Sequence, residues 1–370
     1  MDSPLLLVEG PPRTGRSTLA WQIARAALGG ASSVDGRTNG ALRLDPELGL
    51  AELSGGPRSG RILIVDNADA DPAILKAARA LSAQAVSARI VLLGVHFPAA
   101  GPQPASGPEP PRLELAPLSL AEAGPASRPR HWLRGGYPEA FLAANDEAAF
   151  AWLSDYIERL AESRLLSALP WAPGRGRRLL SMLAEGQGQA LNRSEMARSL
   201  GVSRPALDRS LAALEESGIL RALPSLPGPA GKRARLSPVL YLRDSGLYHA
   251  LSGLESAEAL LGSARLAKSW ESYAIEQILR ALPPGCEAGR YRSQDGAGLE
   301  LVISRGGSAL MGVAIGWGRQ GKPSRGARFA ARDLGSRQNY LVLPEAEVGE
   351  VEETFRQASL GAFIETVSGV

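Results

Sequence analysis

The hydrophobic pattern changes period twice along the chain. Three short, unbroken apolar runs come first: Leu5-Leu6-Leu7-Val8, Ile62-Leu63-Ile64-Val65 and Ile90-Val91-Leu92-Leu93. Each is too short for a helix and too continuous for a half-exposed strand, so they predict buried strands of a parallel sheet. Between them, Leu19–Leu28 and Pro72–Val86 carry apolar residues at helical spacing. Strand and helix therefore alternate, and right-handed crossovers follow. Ala41–Leu44 and Arg112–Leu120 read as further short strands, the remainder of 29–60 as surface loop, and proline-rich 97–111 as an irregular linker.

From about residue 131 the period becomes helical. Trp152, Leu153, Tyr156, Ile157, Leu160 and Leu165 form one stripe within 148–166, and Arg177–Leu183 predicts another short helix. Beyond 287, alternating or apolar runs return at Arg290–Arg292, Leu299–Ile303, Ala309–Ile315 and Tyr340–Leu343. They predict a small mixed sheet flanked by helices at 267–282 and near 350–359. The fold class is α/β, with a parallel-sheet domain over 1–120, a helical region over 121–255 and a small α/β domain over 256–370.

The first strand and helix are joined by Gly10-Pro11-Pro12-Arg13-Thr14-Gly15-Arg16-Ser17-Thr18. This matches the phosphate-binding pattern G-x-x-x-x-G-K-[ST] except that Arg16 stands where lysine is expected. Two glycines let the backbone wrap tightly with its N–H groups inward, and the helix aims its positive end at the same anion. Ser17 is placed to bind Mg²⁺ through its hydroxyl, with Asp66, at the end of the second apolar run, as the other metal residue. Arg16 keeps the charge but exchanges a compact ammonium for a planar fork. Read blandly, the loop is a Gly- and Pro-rich turn and Asp66 caps the next helix. His96, just past the third apolar run, is the one polar residue placed to sense a terminal phosphate, although a lone loop histidine is more often solvated.

A second clear pattern is Asn192–Leu207. Ser194 reads as the cap of one helix, Gly201 as a turn, and Ser203 as the cap of a second helix that buries Leu207, Leu211 and Leu214. With Ile219–Leu223 and Val239–Tyr241 as strands, this predicts a winged helix. For DNA, Ser203, Arg204 and Arg209 would face a groove while Lys232, Arg233 and Arg235 met phosphates. Asp208, Glu215 and Glu216 on the same helix cancel much of that charge and favour a structural or protein-contact role.

Composition narrows the field further. With 370 residues, 44% hydrophobic and 21% charged, the chain can bury two or three ordinary cores. A net charge of +3 makes no strong electrostatic case for nucleic acid or an anionic membrane. The single cysteine, Cys286, excludes an internal disulfide and a cysteine-based metal site, and suits the cytoplasm. No apolar run reaches membrane length, so no membrane partner is expected, and the start of the chain lacks the basic region of a signal peptide.

Three further segments complete the picture: Leu133-Arg134-Gly135-Gly136-Tyr137-Pro138, Tyr241-Leu242-Arg243-Asp244-Ser245-Gly246-Leu247 and Ser269-Trp270-Glu271. In this order after a phosphate loop, and with Pro117-Leu118-Ser119, they resemble prokaryotic AAA-type P-loop ATPases with a C-terminal domain of unknown function. The resemblance implies a P-loop NTPase fold joined to a winged helix and a restriction-endonuclease-like end. It also places Arg112 near the family's arginine sensor or finger. At the chemical positions the sequence departs from the family: Arg16 replaces the lysine and Asn67 the glutamate that orients water. The Glu-x-Asp and Glu-x-Lys pairs of the nuclease-like end become Gly298/Glu300 and Ala314/Gly316, leaving one carboxylate where a catalytic metal needs more. The reading is an ATP- and Mg²⁺-binding regulator or switch with slow or absent hydrolysis. The alternatives are an active ATPase with an arginine-variant loop, or a non-catalytic interaction or DNA-binding protein.

Overall fold

The computed structural model describes residues 3–27, 41–55, 62–83, 89–98, 109–167, 172, 174–228, 237–352 and 354–369. The chain divides into two compact units, 1–117 with the short 216–218 segment, and 118–215 with 219–370.

In the first unit, β1 (Leu5–Glu9), β2 (Ala41–Leu44), β3 (Ile62–Val65), β4 (Arg89–Gly94) and β5 (Arg112–Glu114) make one sheet in the order β2-β3-β4-β1-β5. All its pairings are parallel. The continuous apolar runs are explained by cover on both faces, because neighbouring residues of a strand point to opposite sides. Leu5, Leu7, Leu63, Val65, Ile90 and Leu92 pack with Ile74, Leu75 and Ala78 of helix α3 (Pro72–Ser82). Val8, Ile62, Ile64, Val91 and Leu93 pack with Ala20 and Ala24 of helix α1 (Arg16–Ala27). This is an α/β domain of P-loop-like layout. The surface loop expected through 29–60 is interrupted by helix α2 (Pro46–Gly55). Its start was legible after all: Asp45 accepts from the Leu48 amide at 3.0 Å and Pro46 opens the first turn, the usual helix-start chemistry.

The second unit opens with helices α4 (Leu120–Ala123), α5 (Arg128–Arg134), α6 (Pro138–Phe141), α7 (Asp146–Ala161) and α8 (Arg175–Glu185). Strand β6 (Gln189–Ala190), helices α9 (Arg193–Leu200) and α10 (Arg204–Glu216), and strands β7 (Leu220–Leu223) and β8 (Val239–Leu242) follow. The three strands form an antiparallel sheet in the order β6-β8-β7. Asn192, not Ser194, caps α9, accepting from the Glu195 amide at 3.1 Å. Helices α11 (Ser245–Ser252), α12 (Ala257–Leu261) and α13 (Leu266–Ala281) lead to the last sheet. That sheet contains β9 (Glu287–Arg292), β10 (Gly298–Arg305), β11 (Ser308–Ile315), β12 (Gln338–Leu343), β13 (Gly349–Glu352) and β14 (Phe355–Ser359), in the order β13-β14-β12-β11-β10-β9. Helix α14 (Arg325–Leu334) joins β11 to β12, and α15 (Leu360–Ser368) follows β14.

The helix expected near 350–359 is therefore two strands, with the helix displaced to 360–368. Phe355 and Ala358 explain it. They lie three apart yet enter cores on opposite faces of the sheet, as strand residues do and helix residues do not. One sheet face, through Leu301, Ile303, Met311, Val313, Tyr340 and Val342, belongs to the same core as Trp132, Tyr137, Leu179, Leu211, Trp270 and Tyr273 from the helices. The helical region and the last sheet thus share an interior. Among the described residues, no helix is long and apolar enough to cross a membrane.

Candidate functional site

The sheet order creates a crevice before any side chain is considered. The chain leaves β1 for the distant edge strand β2, whereas β3 and β4 hand on toward β5, so connections diverge at the carboxyl ends of β1 and β4. Open α/β sheets bind ligands at such a divergence. The Gly10–Thr18 loop lies there. The Gly10 amide donates to the Val95 carbonyl just past β4 at 3.1 Å. Gly10 has φ +149, and a Cβ on it would lie 2.1 Å from the Leu115 carbonyl oxygen. Arg13 is exposed and left-handed at φ 68, and Gly15 has φ +92. Buried Thr14 donates to the Pro11 carbonyl at 3.0 Å, closing the loop on itself. Pro11 is buried and Pro12 half-buried.

Arg16 begins α1 and is only 9% exposed. Ser17 follows, half-buried, and exposed Thr18 comes next. The Ser17 hydroxyl donates to Asp66 Oδ2 at 3.1 Å, across 49 residues of sequence. The other carboxylate oxygen accepts from the Asn67 amide at 3.0 Å, and Asn67 takes the left-handed conformation at φ 49, ψ 36. The two residues expected to share a metal are thus in contact, a hydroxyl against a carboxylate, both oxygen ligands suited to Mg²⁺.

Arg112 is committed to a different network. It contacts Glu9 Oε1 at 3.0 Å, Glu109 Oε1 at 2.8 Å, and the carbonyls of Phe97 at 2.6 Å and Pro98 at 3.1 Å. Glu9 also accepts from the Phe97 amide at 2.7 Å, and His96 Nδ1 lies 3.7 Å from it. These contacts tie the ends of β1 and β4 to the start of β5.

On α9 and α10, Asp208 is shared by two guanidiniums, Arg193 at 3.0 Å and Arg204 at 2.9 Å; Arg204 also donates to Ser194 at 3.1 Å. Arg209 and Ser203 are exposed. Lys232, Arg233 and Arg235 lie outside the described residues.

In the last sheet, Gly298 and Glu300 are on β10, Ala314 is on β11, and Gly316 just follows it. Burial, then the neighbouring Glu271 charge, pushes the Glu300 carboxyl up, while Glu300 accepts from the Ile315 amide at 3.3 Å. Sequence reasoning missed Glu271 as the second acid, although it ends the conspicuous Ser269-Trp270-Glu271 segment. It is held by Lys268 at 2.7 Å and Tyr241 at 3.1 Å. Among the described residues, no cluster of three or more His, Cys, Asp or Glu side chains is arranged for a metal.

The three distinctive segments of the second unit meet one another. Asp244 caps α11, accepting from the Leu247 amide at 2.8 Å, and takes the Gly136 amide at 2.7 Å. A Cβ on Gly135 would lie 2.2 Å from that carboxylate, and one on Gly246 would lie 2.0 Å from the Arg134 carbonyl oxygen. Trp132 donates to Ser269 Oγ at 2.9 Å, which lies 2.6 Å from His249 Nε2; His249 Nδ1 meets the Leu133 carbonyl at 2.9 Å. A carbonyl only accepts, so Nδ1 carries the proton and Nε2 accepts from Ser269. By the same argument His131 donates from Nε2 to the Leu118 carbonyl at 2.9 Å and accepts from Tyr273 at Nδ1, also at 2.9 Å. These residues act as a structural interlock.

Burial pushes each imidazole down to about 4, so both are neutral at pH 7. A base whose folded value lies below its unfolded 6.5 loses stability as pH falls from 6.5 toward 4, because the unfolded chain binds the proton first. The effect is on the order of 3 kcal/mol apiece at most. Burial raises Asp244 to about 6, against its amide hydrogen bonds, which works in the opposite direction between pH 6 and 3.8. The expected net result is a second-unit Tm that drops between pH 7.5 and 5, with a smaller drop in His249→Asn. A native Tm indifferent to that range would contradict neutral burial.

A domain of unknown function, DUF8612, matches residues 126–258, the stretch that holds the first two interlocking segments. Uncharacterized protein Rv2008c of Mycobacterium tuberculosis is 31% identical over 348 residues, covering 92% of this chain and 77% of that protein. Uncharacterized protein Mb2031c of Mycobacterium bovis matches with the same identity and coverage. Among solved structures, C. elegans PCH-2 is similar at 12% identity and a TM-score of 0.20, over 58% of this chain and 60% of that one. With the mycobacterial similarity running through nearly its whole length, the chain belongs to the family of Rv2008c and Mb2031c.

Proposed function

We propose that the first unit binds ATP with Mg²⁺ at the Gly10–Thr18 loop and that the protein works as a nucleotide-dependent switch whose hydrolysis is slow or absent. The observation that carries this reading is the Ser17–Asp66 contact at 3.1 Å. A hydroxyl and a carboxylate from distant segments face each other at the carboxyl edge of a parallel sheet, beside a loop with φ +149 and φ +92 at its two glycines. Backbone amides from the loop and the first turn of α1 would hold the phosphates, Ser17 and Asp66 the ion, and buried Arg16 would supply positive charge. Bound Mg²⁺ would screen the phosphate oxygens. Asn67 has no carboxylate to take a proton from water, which is why the reading is a switch and not an efficient ATPase.

The second unit, in this proposal, contains a winged helix formed by α9, α10 and β6–β8, and a restriction-endonuclease-like sheet without nuclease chemistry. A protein-contact role for the winged helix is favoured over DNA by Asp208, which occupies both Arg193 and Arg204. The proposed location is the cytoplasm.

Calorimetric titration with Mg-ATP tests the reading. The native protein should bind, and Ser17→Ala should weaken binding at least tenfold without changing the circular dichroism spectrum. No heat from the native protein but recovery in Arg16→Lys would mean that one side chain disables the site. Silence in both would end the nucleotide reading.

A further inference from the structure

The second unit contains a cavity of about 370 Å³ that the nucleotide reading does not use. Small-molecule sites are concave, mostly apolar, and supplied with a few polar groups, and this volume lies within their usual span. Trp132, Leu133, Leu260, Leu261 and Trp317 provide apolar walls, while Arg128, Arg319 and Glu345 are its charged lining residues. Two of the walls are left facing water in large part: Trp317 is 40% exposed and Leu261 55%. Exposed apolar surface gathered around a concavity marks a binding place more often than the same residues scattered singly.

The aromatic wall is preformed. Trp317 lies 5.1 Å from the Trp132 ring and 5.9 Å from the Trp270 ring, and those two are 5.5 Å apart in an edge-on arrangement. Trp132 is fixed by its hydrogen bond to Ser269. Trp317 is therefore the outermost of three mutually packed indoles, with one side still available for a further ring.

The charges at the mouth do not cancel. Glu345 bridges Arg128 at 2.8 Å and Arg319 at 2.9 Å, so two guanidiniums share one carboxylate among the lining residues. Arg128 is also anchored to the Pro344 carbonyl, whereas Arg319, though held to Glu345 through Nε at 3.0 Å as well, is 85% exposed and can take a second anion at its outer edge. Arginine is suited to carboxylates through its planar fork.

We propose that this cavity binds a small aromatic carboxylate, its ring against Trp317 and its carboxylate on Arg319. The aromatic requirement comes from the indole wall, and the anion requirement from the positive charge left in excess when two guanidiniums share one carboxylate. A neutral aromatic of the same shape loses the charged contact and should bind more weakly.

The probe is 2-naphthoate, titrated calorimetrically into the full chain beside 2-naphthalenemethanol. The expected result is saturable 1:1 binding of 2-naphthoate, at least tenfold tighter than the alcohol, and weakened at least tenfold by Trp317→Ala. Arg319→Gln, at a side chain too exposed to affect folding, should bring the acid down to the level of the alcohol. Absence of saturable binding, equal affinity for acid and alcohol, or unchanged affinity in Arg319→Gln would each overturn the proposal. None of these readouts depends on the nucleotide site.

Discussion

Gly246→Ala will strongly destabilise the second unit. The added Cβ would lie 2.0 Å from the Arg134 carbonyl oxygen and 2.8 Å from the Gly135 nitrogen, and both are backbone atoms that cannot rotate away. Gly135 is itself pinned by its φ of +78 and by the Asp244 carboxylate beside it. Relief would require α11 to move off α5, taking Asp244 from the Gly136 amide and His249 from the Leu133 carbonyl. A loss of about 4 kcal/mol or more is expected, against a total of ~5–15 kcal/mol for an ordinary domain. Urea denaturation followed by tryptophan fluorescence is suited to the test, because Trp132 and Trp270 sit in this core. Gly361→Ala in α15 is the control: nothing lies within 4 Å of its Cβ, so stability should be unchanged or raised by up to about 1 kcal/mol. A Gly246→Ala protein that unfolds with the native midpoint would show that the interlock is looser than described.

The second large effect is expected at Glu276. This carboxylate on α13 is 5% exposed and receives Arg221 from β7 at 2.6 and 3.0 Å and Arg243, just past β8, at 2.8 Å. Burial pushes its carboxyl up, and the two guanidiniums outweigh that, leaving it below the ordinary carboxylate value. Its contribution is thus present above the unfolded value of 4.5 and lost as pH falls below it. Glu276→Ala removes the buried carboxylate to which Arg221 and Arg243 both donate. Removing one partner of a buried pair costs about 3–5 kcal/mol, toward the low end here because Arg221 is a quarter exposed. In a double-mutant cycle, Arg221→Met combined with Glu276→Ala should be less destabilised than the sum of the two single variants. Strict additivity would show the pair to be uncoupled.

Much of this was readable from local signals. Continuous apolar runs gave away the buried parallel strands because cover on both faces leaves no room for alternation, and the glycine-bounded loop gave away its own turn. The pairing of Ser17 with Asp66 was readable because each sits at the end of an element whose place the sheet dictates. What could not be read shares one property: it depends on partners far apart in sequence. Glu271 looks like any helical surface acid, paired with Lys268 one turn away, until Tyr241 and Glu300 are brought to it by β8 and β10. Arg112 is a strand-edge residue until β1 presents Glu9. The segment 349–359 contains several glutamates, good helix formers, yet it pairs with β12 and buries Phe355 and Ala358 on opposite faces. Tertiary context overrode propensity there.

The shared interior of the second unit sets how such a gene can be shortened or recombined. Because one face of the last sheet closes the core that Trp132, Tyr137 and Leu179 begin, a breakpoint anywhere from 262 to 286 separates two halves of one oily interior. Each half would expose apolar surface that the other now covers, so both should be cleaved more readily by protease than the full chain. Covering that interior is by itself a physical reason to keep the six-stranded sheet beside the helices, whatever chemistry its edge does or does not perform.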